Sequence, residues 1–482
     1  MTDILERSGE LDNVLGSIAD EARRYLAGLA GDPALPAGSD EALAAFDGDL
    51  PDEGRGAAAA LEELVTHAIP GATRSAGPRF FHFVTGGVTP AALAADWLTS
   101  TLDQNAFAWA SSPLGSRLET VAIRWLRELF DLPPTYSGVL TTGATMSNFV
   151  ALAAARRWYG ERLGVDVEED GLGTLPQPVV YASDYLHSSD VKALAMLGIG
   201  RSSVHRLVRD DVGRLDVDAL GRELARDDRP AILVAVAGEV NAGDSDPIDA
   251  MADLAARHGA WLHVDGAFGL FARLSPRTGD QVRGVERADS VIADGHKWLN
   301  VPYDCGFAFV RDPMLLPKAF TASAAYLPSP DDPHPNFGYN APEMSRRARA
   351  LTVWATLRAY GRAGYRAMVE RHLDVARHLA ERIDTAPEFE RLADVPLNVV
   401  CFRLRPEAVA DSELDALNTR LGEAILADGR FYAGTTRYAG KVALRPAISN
   451  WRTTTEHVDE FVEVVRELAA NVVATAPAAV AR

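Results

Sequence analysis

Cysteine is almost missing from this chain of 482 residues, with Cys305 and Cys401 the only two. Two thiols build no disulfide framework, and no CxxC or Cys/His spacing offers a zinc site, so a reducing cytoplasm is the expected compartment and no metal is expected. Basic residues are also short, 48 Lys and Arg against 67 Asp and Glu, which leaves a formal charge of -19. No Lys/Arg run and no basic stretch with interleaved aromatics offsets that balance, so nucleic acid is not an expected partner. Long apolar runs are lacking too. None approaches the roughly 20 residues of a membrane helix, and the N-terminal MTDILERSGELDNVLG, with its acids and no continuous apolar core, is expected to be neither a secretory signal nor a transit peptide. Internal repeats and low-complexity tracts are absent as well, so a folded enzyme-like chain with no membrane partner is expected.

What is present is ample core material: 47% of the residues are hydrophobic, enough at this length for two or three domains. Ile4 to about Leu29 and Asp40 to His67 read as amphipathic helices on either side of GDPALPAGS, a layout suited to an N-terminal arm that wraps a partner subunit. From about Arg79 the pattern changes to short apolar runs separated by helical stretches: GVL at Gly138, PVVYAS at Pro178, AILVAVAG at Ala231, WLHVD at Trp261 and SVIAD at Ser290. That alternation specifies an α/β fold with a mainly parallel sheet covered on both faces. One helix is expected to take Asp246 as its N-cap and Pro247 at its first position, with Ile248, Met251 and Ala255 on one face, ending at His258-Gly259. RLDVDALGRELARDDRP reads as a further amphipathic helix with a solvated charged face. The stretch from Tyr159 to Pro178 reads as a polar surface loop, and a second loop runs from about Thr321 to Pro342. Arg346 to Ile383 is nearly all helical, and the remainder alternates strands and helices. The expected division is an arm at 1–78, a large domain at 79–345 and a small C-terminal α/β domain at 346–482.

In sheets of this kind ligands gather at the carboxyl ends of the strands. Gly138-Val139-Leu140 is followed by Thr141-Thr142-Gly143-Ala144-Thr145 and a helix beginning near Met146, an arrangement that presents small residues and free amides to an anion such as phosphate. His187 follows the strand ending at Ser183. Asp265 ends WLHVD, and a buried carboxylate is costly unless a cation meets it. Lys297, in DGHKWLN, closes the next strand with no carboxylate of obvious structural use beside it. A lysine with a pKa near 10.4 is a poor nucleophile at neutral pH, so imine chemistry requires that it be desolvated or already joined to an aldehyde. Taken singly, each residue has an ordinary reading: a surface lysine, a structural histidine, a strand-to-helix turn. Taken in order, the small-residue turn, His, Asp and Lys suit pyridoxal 5'-phosphate, whose aldehyde would join Lys297 and whose protonated ring nitrogen would meet Asp265.

The wording of these motifs resembles the pyridoxal-phosphate decarboxylases of the aromatic-amino-acid and glutamate decarboxylase group, which have the aspartate aminotransferase fold, fold type I. The resemblance runs from roughly Phe80 to Arg452. It is carried by HVDGAFG, DGHKWLNVPYDCG and SRRARALTVW, with ASDYLHSS and LRPAISNWRT in support. It implies a seven-stranded large-domain sheet and a homodimer with active sites at the interface. It also implies that Lys297 holds the cofactor, Asp265 pairs with the ring nitrogen, His187 stacks on the ring and Ala267 lies beneath it. Gly143, Ala144 and Thr145 would hold the phosphate with help from Asp294 and His296. Tyr326, in the second polar loop, matches the family's mobile-loop tyrosine, which from a neighbouring subunit protonates Cα after CO2 leaves.

Around the substrate the chain departs from the aromatic members, with Ser75, Phe83, Val84 and Gly86 at places where they carry Trp, Tyr, Phe and Thr. Phe83 and Phe107 still suit an apolar or aromatic side chain, and Thr85 or Asn105 a polar contact. Gly238-Glu239-Val240-Asn241 stands where the family has a Thr beside the ring. The implied activity is carboxy-lyase action on an L-amino acid, a small-molecule partner, to give the amine. The alternatives are decarboxylation coupled to oxidation, giving an aldehyde, β-elimination from a modified amino acid, or a catalytically silent binding subunit. Intact Lys297 and Asp265 argue against the last. His187 and Tyr326 favour amine release, since the resemblance implies that loss of either promotes oxidation.

Overall fold

The computed structural model describes residues 11–329 and 332–475. Three helices open it: α1 (Leu11–Gly28), α2 (Ser39–Ala44) and α3 (Ala57–Gly71). The first is the expected N-terminal helix, whose residues 4–10 lie outside the described ones. The second expected helix, Asp40 to His67, is instead two. Gly48, Pro51, Gly54 and Gly56 fall between α2 and α3, and a proline without an N–H together with glycines that lose backbone entropy interrupts the helix there. None of the three helices buries a residue fully.

After α4 (Pro90–Leu102) and α5 (Pro113–Leu129) the chain alternates as β1 (Ser137–Thr141), α6 (Ala144–Arg162), β2 (Val179–Ala182), α7 (Ser188–Met196) and β3 (Val204–Arg206). It continues through α8 (Val217–Arg226), β4 (Ala231–Val236), α9 (Ile248–His258), β5 (Trp261–Asp265), β6 (Ser290–Asp294), β7 (Gly306–Val310) and α10 (Leu315–Phe320). The strands form one seven-stranded sheet in the order β1-β7-β6-β5-β4-β2-β3. Pairs among β2 to β6 are parallel, and β7 runs antiparallel to both of its neighbours. The five expected strands are all present. Two more complete the sheet: β3 is three residues long and largely exposed, too short to show alternation, and β7 returns from β6 so soon that its apolar run reads as part of the lysine motif.

Local signals hold with small displacements. In α9, Pro247 takes the N-cap and Asp246 stands one residue earlier, because the Asp246 carboxylate is drawn inward to accept from the Val236 amide at 2.9 Å and the Ser183 hydroxyl at 3.0 Å. Gly259 ends the helix in the left-handed region, φ 64, as expected for a glycine there. In α8, Asp216 caps the Ala219 amide and Leu220 and Leu224 face the core. The loop after α6 is tied down: Val167 is fully buried, and Arg156 and Arg157 pair with Glu168 at 3.0 and 2.8 Å.

The long helix α11 (Ala350–Asp384) bends at Gly361, the one non-helical residue within it. It leads to β8 (Phe389–Arg391), β9 (Phe402–Leu404), α12 (Leu414–Asp428), β10 (Thr435–Tyr438), β11 (Lys441–Leu444) and α13 (Thr455–Ala474). These strands make a second sheet, antiparallel, in the order β10-β11-β9-β8. Leu379, Phe402, Leu421 and Phe461 anchor its own core, each contributing about 1.5–3 kcal/mol on full burial. In the large sheet, Leu233, Val264, Val291 and Phe307 pack on one side and Val180, Ile232 and Ile292 on the other. Both faces are therefore covered, which leaves the carboxyl edge, with Thr141, Ala182, Val236, Asp265 and Asp294 along it, as the place for chemistry.

Candidate active site

A cavity of about 460 Å³ opens at that edge, within the size range of small-molecule sites. Lys297, Asp265, His187, Ala267, Asp294 and His296 line it, together with the turn Gly143-Ala144-Thr145. The residues expected around a cofactor are thus brought together from four strand ends, those of β1, β2, β5 and β6.

Lys297 lies in a single π-type turn, Gly295–Leu299, directly after β6. Trp298 beside it is fully buried and donates its indole N–H to His372 Nδ1 at 2.8 Å, which fixes the turn from behind. Gly86 presses on the same turn, its amide donating to the His296 carbonyl at 3.0 Å. A Cβ at Gly86 would collide with the Lys297 carbonyl, so no other residue fits there. The Lys297 amine is not without a carboxylate, contrary to the sequence reading: its Nζ stands 3.5 Å from Asp294 Oδ2. It also lies 6.0 Å from the centroid of the Phe268 ring.

Asp265 is 3% exposed, and among the described residues no cation lies within ion-pair distance of it. Donors surround it instead. The Ala267 amide donates to Oδ1 at 2.9 Å and the Asn148 side-chain amide to Oδ2 at 3.0 Å. With its NH2 committed there, Asn148 turns its oxygen to His263 Nε2, 3.0 Å away. Burial holds His263 neutral, its pKa lowered to about 4, so its single proton sits on Nε2 and Nδ1 accepts from Ser290 Oγ at 2.8 Å. The Trp261 indole N–H in turn donates to Ser290 Oγ at 3.1 Å. Trp261, Ser290, His263 and Asn148 therefore form a relay in which every donor points toward Asp265. Burial pushes the Asp265 carboxyl up, but the Lys297 charge and these hydrogen bonds outweigh it and hold the group below the ordinary carboxylate range.

His187 caps α7, its Nδ1 accepting from the Ser189 amide at 3.3 Å and lying 2.8 Å from Ser189 Oγ. Burial lowers its pKa. A neutral imidazole with Nδ1 occupied as an acceptor carries its proton on Nε2.

The small-residue turn lies at the N-terminus of α6, which begins at Ala144, two residues before the expected start. Gly143 takes φ 148, conformational space that glycine alone enters without strain. The Ala144 amide is not free, since it donates to Asp294 Oδ1 at 2.7 Å. The amides of Thr145 and Met146, next in the helix, have no intrahelical acceptor and meet the positive end of the dipole of a helix of 19 residues. The turn is braced from below. Glu119 accepts from the Leu140 amide at 2.9 Å and from Arg346 at 2.7 Å, and Arg346 also donates to the Leu140 carbonyl. This buried pair accounts for Arg346, the first of the three arginines in SRRARAL.

Two residues that line the cavity, Tyr303 and Arg445, and one that does not, Asn148, escaped the sequence reading. Tyr303 stacks on His296, ring centroids 4.2 Å apart, and its hydroxyl lies 3.2 Å from Thr85 Oγ1. Arg445, 8% exposed, donates to the Val240 carbonyl at 3.1 Å, and among the described residues it has no carboxylate within ion-pair distance. Asn148 lies behind the wall. A tyrosine in NVPYDCG and an arginine in LRPAISN stood inside motifs already noted, so position within a motif was the available signal.

Of the expected substrate contacts, Phe83 lines the cavity, and Thr85 reaches it only through Tyr303. Phe83 and its neighbour Val84, which also lines the cavity, both take left-handed backbone, φ 56 and 58, which for bulky residues costs of order 1–3 kcal/mol each. Asn105 and Phe107 are not brought to the cavity of their own chain. Asn105 accepts from the Phe107 and Arg346 amides, and Phe107 packs edge-on against Tyr339. Tyr326, 84% exposed, lies on the loop beyond α10, also outside this cavity. Glu239, within the stretch Gly238-Glu239-Val240-Asn241, does not line the cavity and accepts from the Asn241 and Ala242 amides; burial raises its pKa to about 7.

The donor set suits pyridoxal phosphate. It offers an amine for the aldehyde, a held carboxylate lacking a close cation for the ring nitrogen, helix-start amides for the phosphate, and a buried His296 Nδ1 with no partner. Comparison with known proteins agrees. Residues 40–405 match the family described as pyridoxal-dependent decarboxylase conserved domain. An aromatic-L-amino-acid decarboxylase of Bacillus atrophaeus is 30% identical over 431 residues, 88% of each chain. A phenylacetaldehyde synthase of Arabidopsis thaliana is 27% identical over 84% of this chain and 85% of that one. The crystal structure of Oryza sativa TDC with PLP and tryptamine superimposes with a TM-score of 0.89 at 26% identity, covering 97% of this chain and 99% of that one. The chain therefore belongs to the pyridoxal-dependent decarboxylase family, as an amino acid decarboxylase of fold type I.

Proposed function

We propose that the chain removes the α-carboxylate of an L-amino acid with an apolar or aromatic side chain and releases the amine. The observation that carries this reading is the placement of Lys297 and the donor-held Asp265 in one cavity. Bound pyridoxal phosphate supplies an aldehyde for amino groups and a cationic ring that accepts the electron pair left by CO2. Lys297 holds that aldehyde carbon between turnovers, and Asp294 at 3.5 Å keeps its amine at the cavity. Asp265 keeps the ring nitrogen protonated, with its own orientation set by Asn148 and Ala267. His187 and Ala267, which line the cavity, would hold the ring between them. Thr145 and Met146 offer amides to the phosphate, Gly143 and Ala144 shape the turn around it, and Asp294 and His296 close it. Arg445 receives a substrate carboxylate. Phe83, beside Tyr303 and Thr85, meets the side chain.

Tyr326 delivers the proton to Cα from a neighbouring subunit, which requires a homodimer with shared active sites. Exposed Trp97, Leu98 and Leu102 on α4 and Leu11 and Leu15 on α1 support a covered face there. The arm is taken as residues 1–78, the cofactor-binding domain as 79–345 and the small domain as 346–482. The cytoplasm is the proposed compartment, in keeping with two buried free thiols and with the finding that no described helix is long and apolar enough to cross a membrane.

A second outcome, oxidation of the same substrate to an aldehyde, is favoured by the presence of phenylacetaldehyde synthases among the relatives. One experiment separates the two. The enzyme is incubated with a panel of amino acids in air and without it, and CO2, amine, aldehyde and peroxide are followed together. Equal CO2 and amine from an apolar or aromatic amino acid, in either atmosphere, is the expected result. Aldehyde and peroxide in air would replace it with the second reading, and no CO2 from any amino acid would end both.

A further inference from the structure

Asp190 takes no part in the chemistry described above. It lies in the first turn of α7, three residues after His187, and is fully buried. Among the described residues no side chain donates to either of its oxygens, and its own backbone amide is the one donor beside it. His263 Nε2 stands 3.8 Å from Oδ1, but its proton is already given to Asn148 at 3.0 Å. The group that faces Asp190 within hydrogen-bonding reach is the carboxyl of Asp265.

Two buried carboxyl groups in contact do not both ionise. The surroundings decide which one keeps the proton. Asp265 has the Asn148 amide, the Ala267 amide and the nearer influence of Lys297, all of which favour its anion. Asp190 has almost no donors, and burial and then the Asp265 charge raise it well above the carboxylate range, with Lys297 opposing only weakly. The remaining titratable ring nearby, His187, is lowered by burial and lends no charge.

We propose that Asp190 is a positioning residue that stays protonated at neutral pH and donates its proton to Asp265, so that the pair carries one negative charge, on Asp265. This rests on the reading that Asp265 meets the ring nitrogen of the cofactor. With a third donor its carboxylate is fixed before the cofactor arrives. It is also a weaker base, which would leave the ring nitrogen its own proton.

The test is infrared spectroscopy of the holoenzyme, unlabelled and with aspartate carrying ¹³C at its side-chain carboxyl. It is run at about pH 8.5, above the pKa of about 7 to which burial raises Asp246. The expected result is a protonated-carboxyl C=O band that shifts with the label and is missing from Asp190→Asn. No such band in the wild type, or a band that survives in Asp190→Asn, overturns the proposal, and the wild-type spectrum decides even if a variant fails to fold. Cofactor affinity gives the second readout. Asp190→Asn, which keeps a donor, is expected within about threefold of wild type, and Asp190→Leu at least about tenfold weaker. Equal affinity in wild type and Asp190→Leu contradicts a positioning role. If Asp265→Asn binds cofactor like wild type, the ring-nitrogen reading fails on its own, while the infrared band still decides the shared proton.

Discussion

Asn148 donates its side-chain amide to Asp265 Oδ2 at 3.0 Å while its oxygen accepts from His263, so the direction of one hydrogen bond on α6 fixes the tautomer of a histidine on β5. Asn148→Leu removes a hydrogen bond to a charged group and leaves the His263 N–H unpaired. A loss of about 1.5–3 kcal/mol, or roughly tenfold to a hundredfold in cofactor affinity, is expected. Fluorescence titration of the apoenzyme with cofactor checks it, and an unchanged dissociation constant would show that the relay does not support the site.

Tyr303 joins Thr85 to His296 across the cavity. Tyr303→Phe keeps the stacking and deletes the 3.2 Å contact. A neutral hydrogen bond contributes about 0.5–1.5 kcal/mol, so the expected effect is a rise in KM of about twofold to tenfold with a smaller change in kcat. Steady-state kinetics on the best substrate of the panel measures it. A fall in kcat alone would instead place the hydroxyl in a chemical step.

Tyr326→Phe is expected to lower amine formation and to raise aldehyde and peroxide, because the proton that ends the normal cycle is lost while the cavity is untouched. Product analysis in air reads this directly. Unaltered amine yield would remove Tyr326 from the mechanism.

His372 holds Trp298 in place behind Lys297 and is itself buried, its pKa lowered to about 3 by burial and by nearby Arg371. In the unfolded chain it returns to about 6.5. The folded state therefore favours the neutral ring. The stability this gives is whole above about pH 6.5 and is lost as pH falls toward the folded value, because only the unfolded chain takes up the proton. His372→Gln cannot titrate. Its deficit relative to wild type in urea unfolding is expected to shrink by about 2 kcal/mol between roughly pH 7 and pH 5. A deficit independent of pH would mean that His372 takes up its proton in the folded protein as readily as in the unfolded chain.

Much of this site was readable from the sequence because each site residue closes an apolar run. Asp265 ends WLHVD and Lys297 follows SVIAD, and a run that becomes a buried parallel strand must deliver its last residue to the carboxyl edge. What could not be read depends on distance in space. Nothing local marks Asn148 as the partner of Asp265, or Arg346 as the brace under Leu140, since both contacts form only once α6 and α11 pack on the sheet. Nothing local marks Asp294 as the partner of Lys297 either, since it stands three residues away in a strand-to-turn segment and only the π-type turn brings the two together. Asp246 looked like a cap by position, yet its carboxylate gains more from the buried Val236 amide and Ser183 than from a helix start in solvent.

Borohydride reduction shows whether Lys297 carries the cofactor. Reduction of the holoenzyme converts the linkage between cofactor and lysine to a stable secondary amine, which digestion and mass spectrometry then locate. The pyridoxyl group is expected on the peptide containing Lys297, with no retained label or visible cofactor band in Lys297→Ala. Labelling of a different lysine, or a Lys297→Ala variant that keeps both the band and activity, would contradict it.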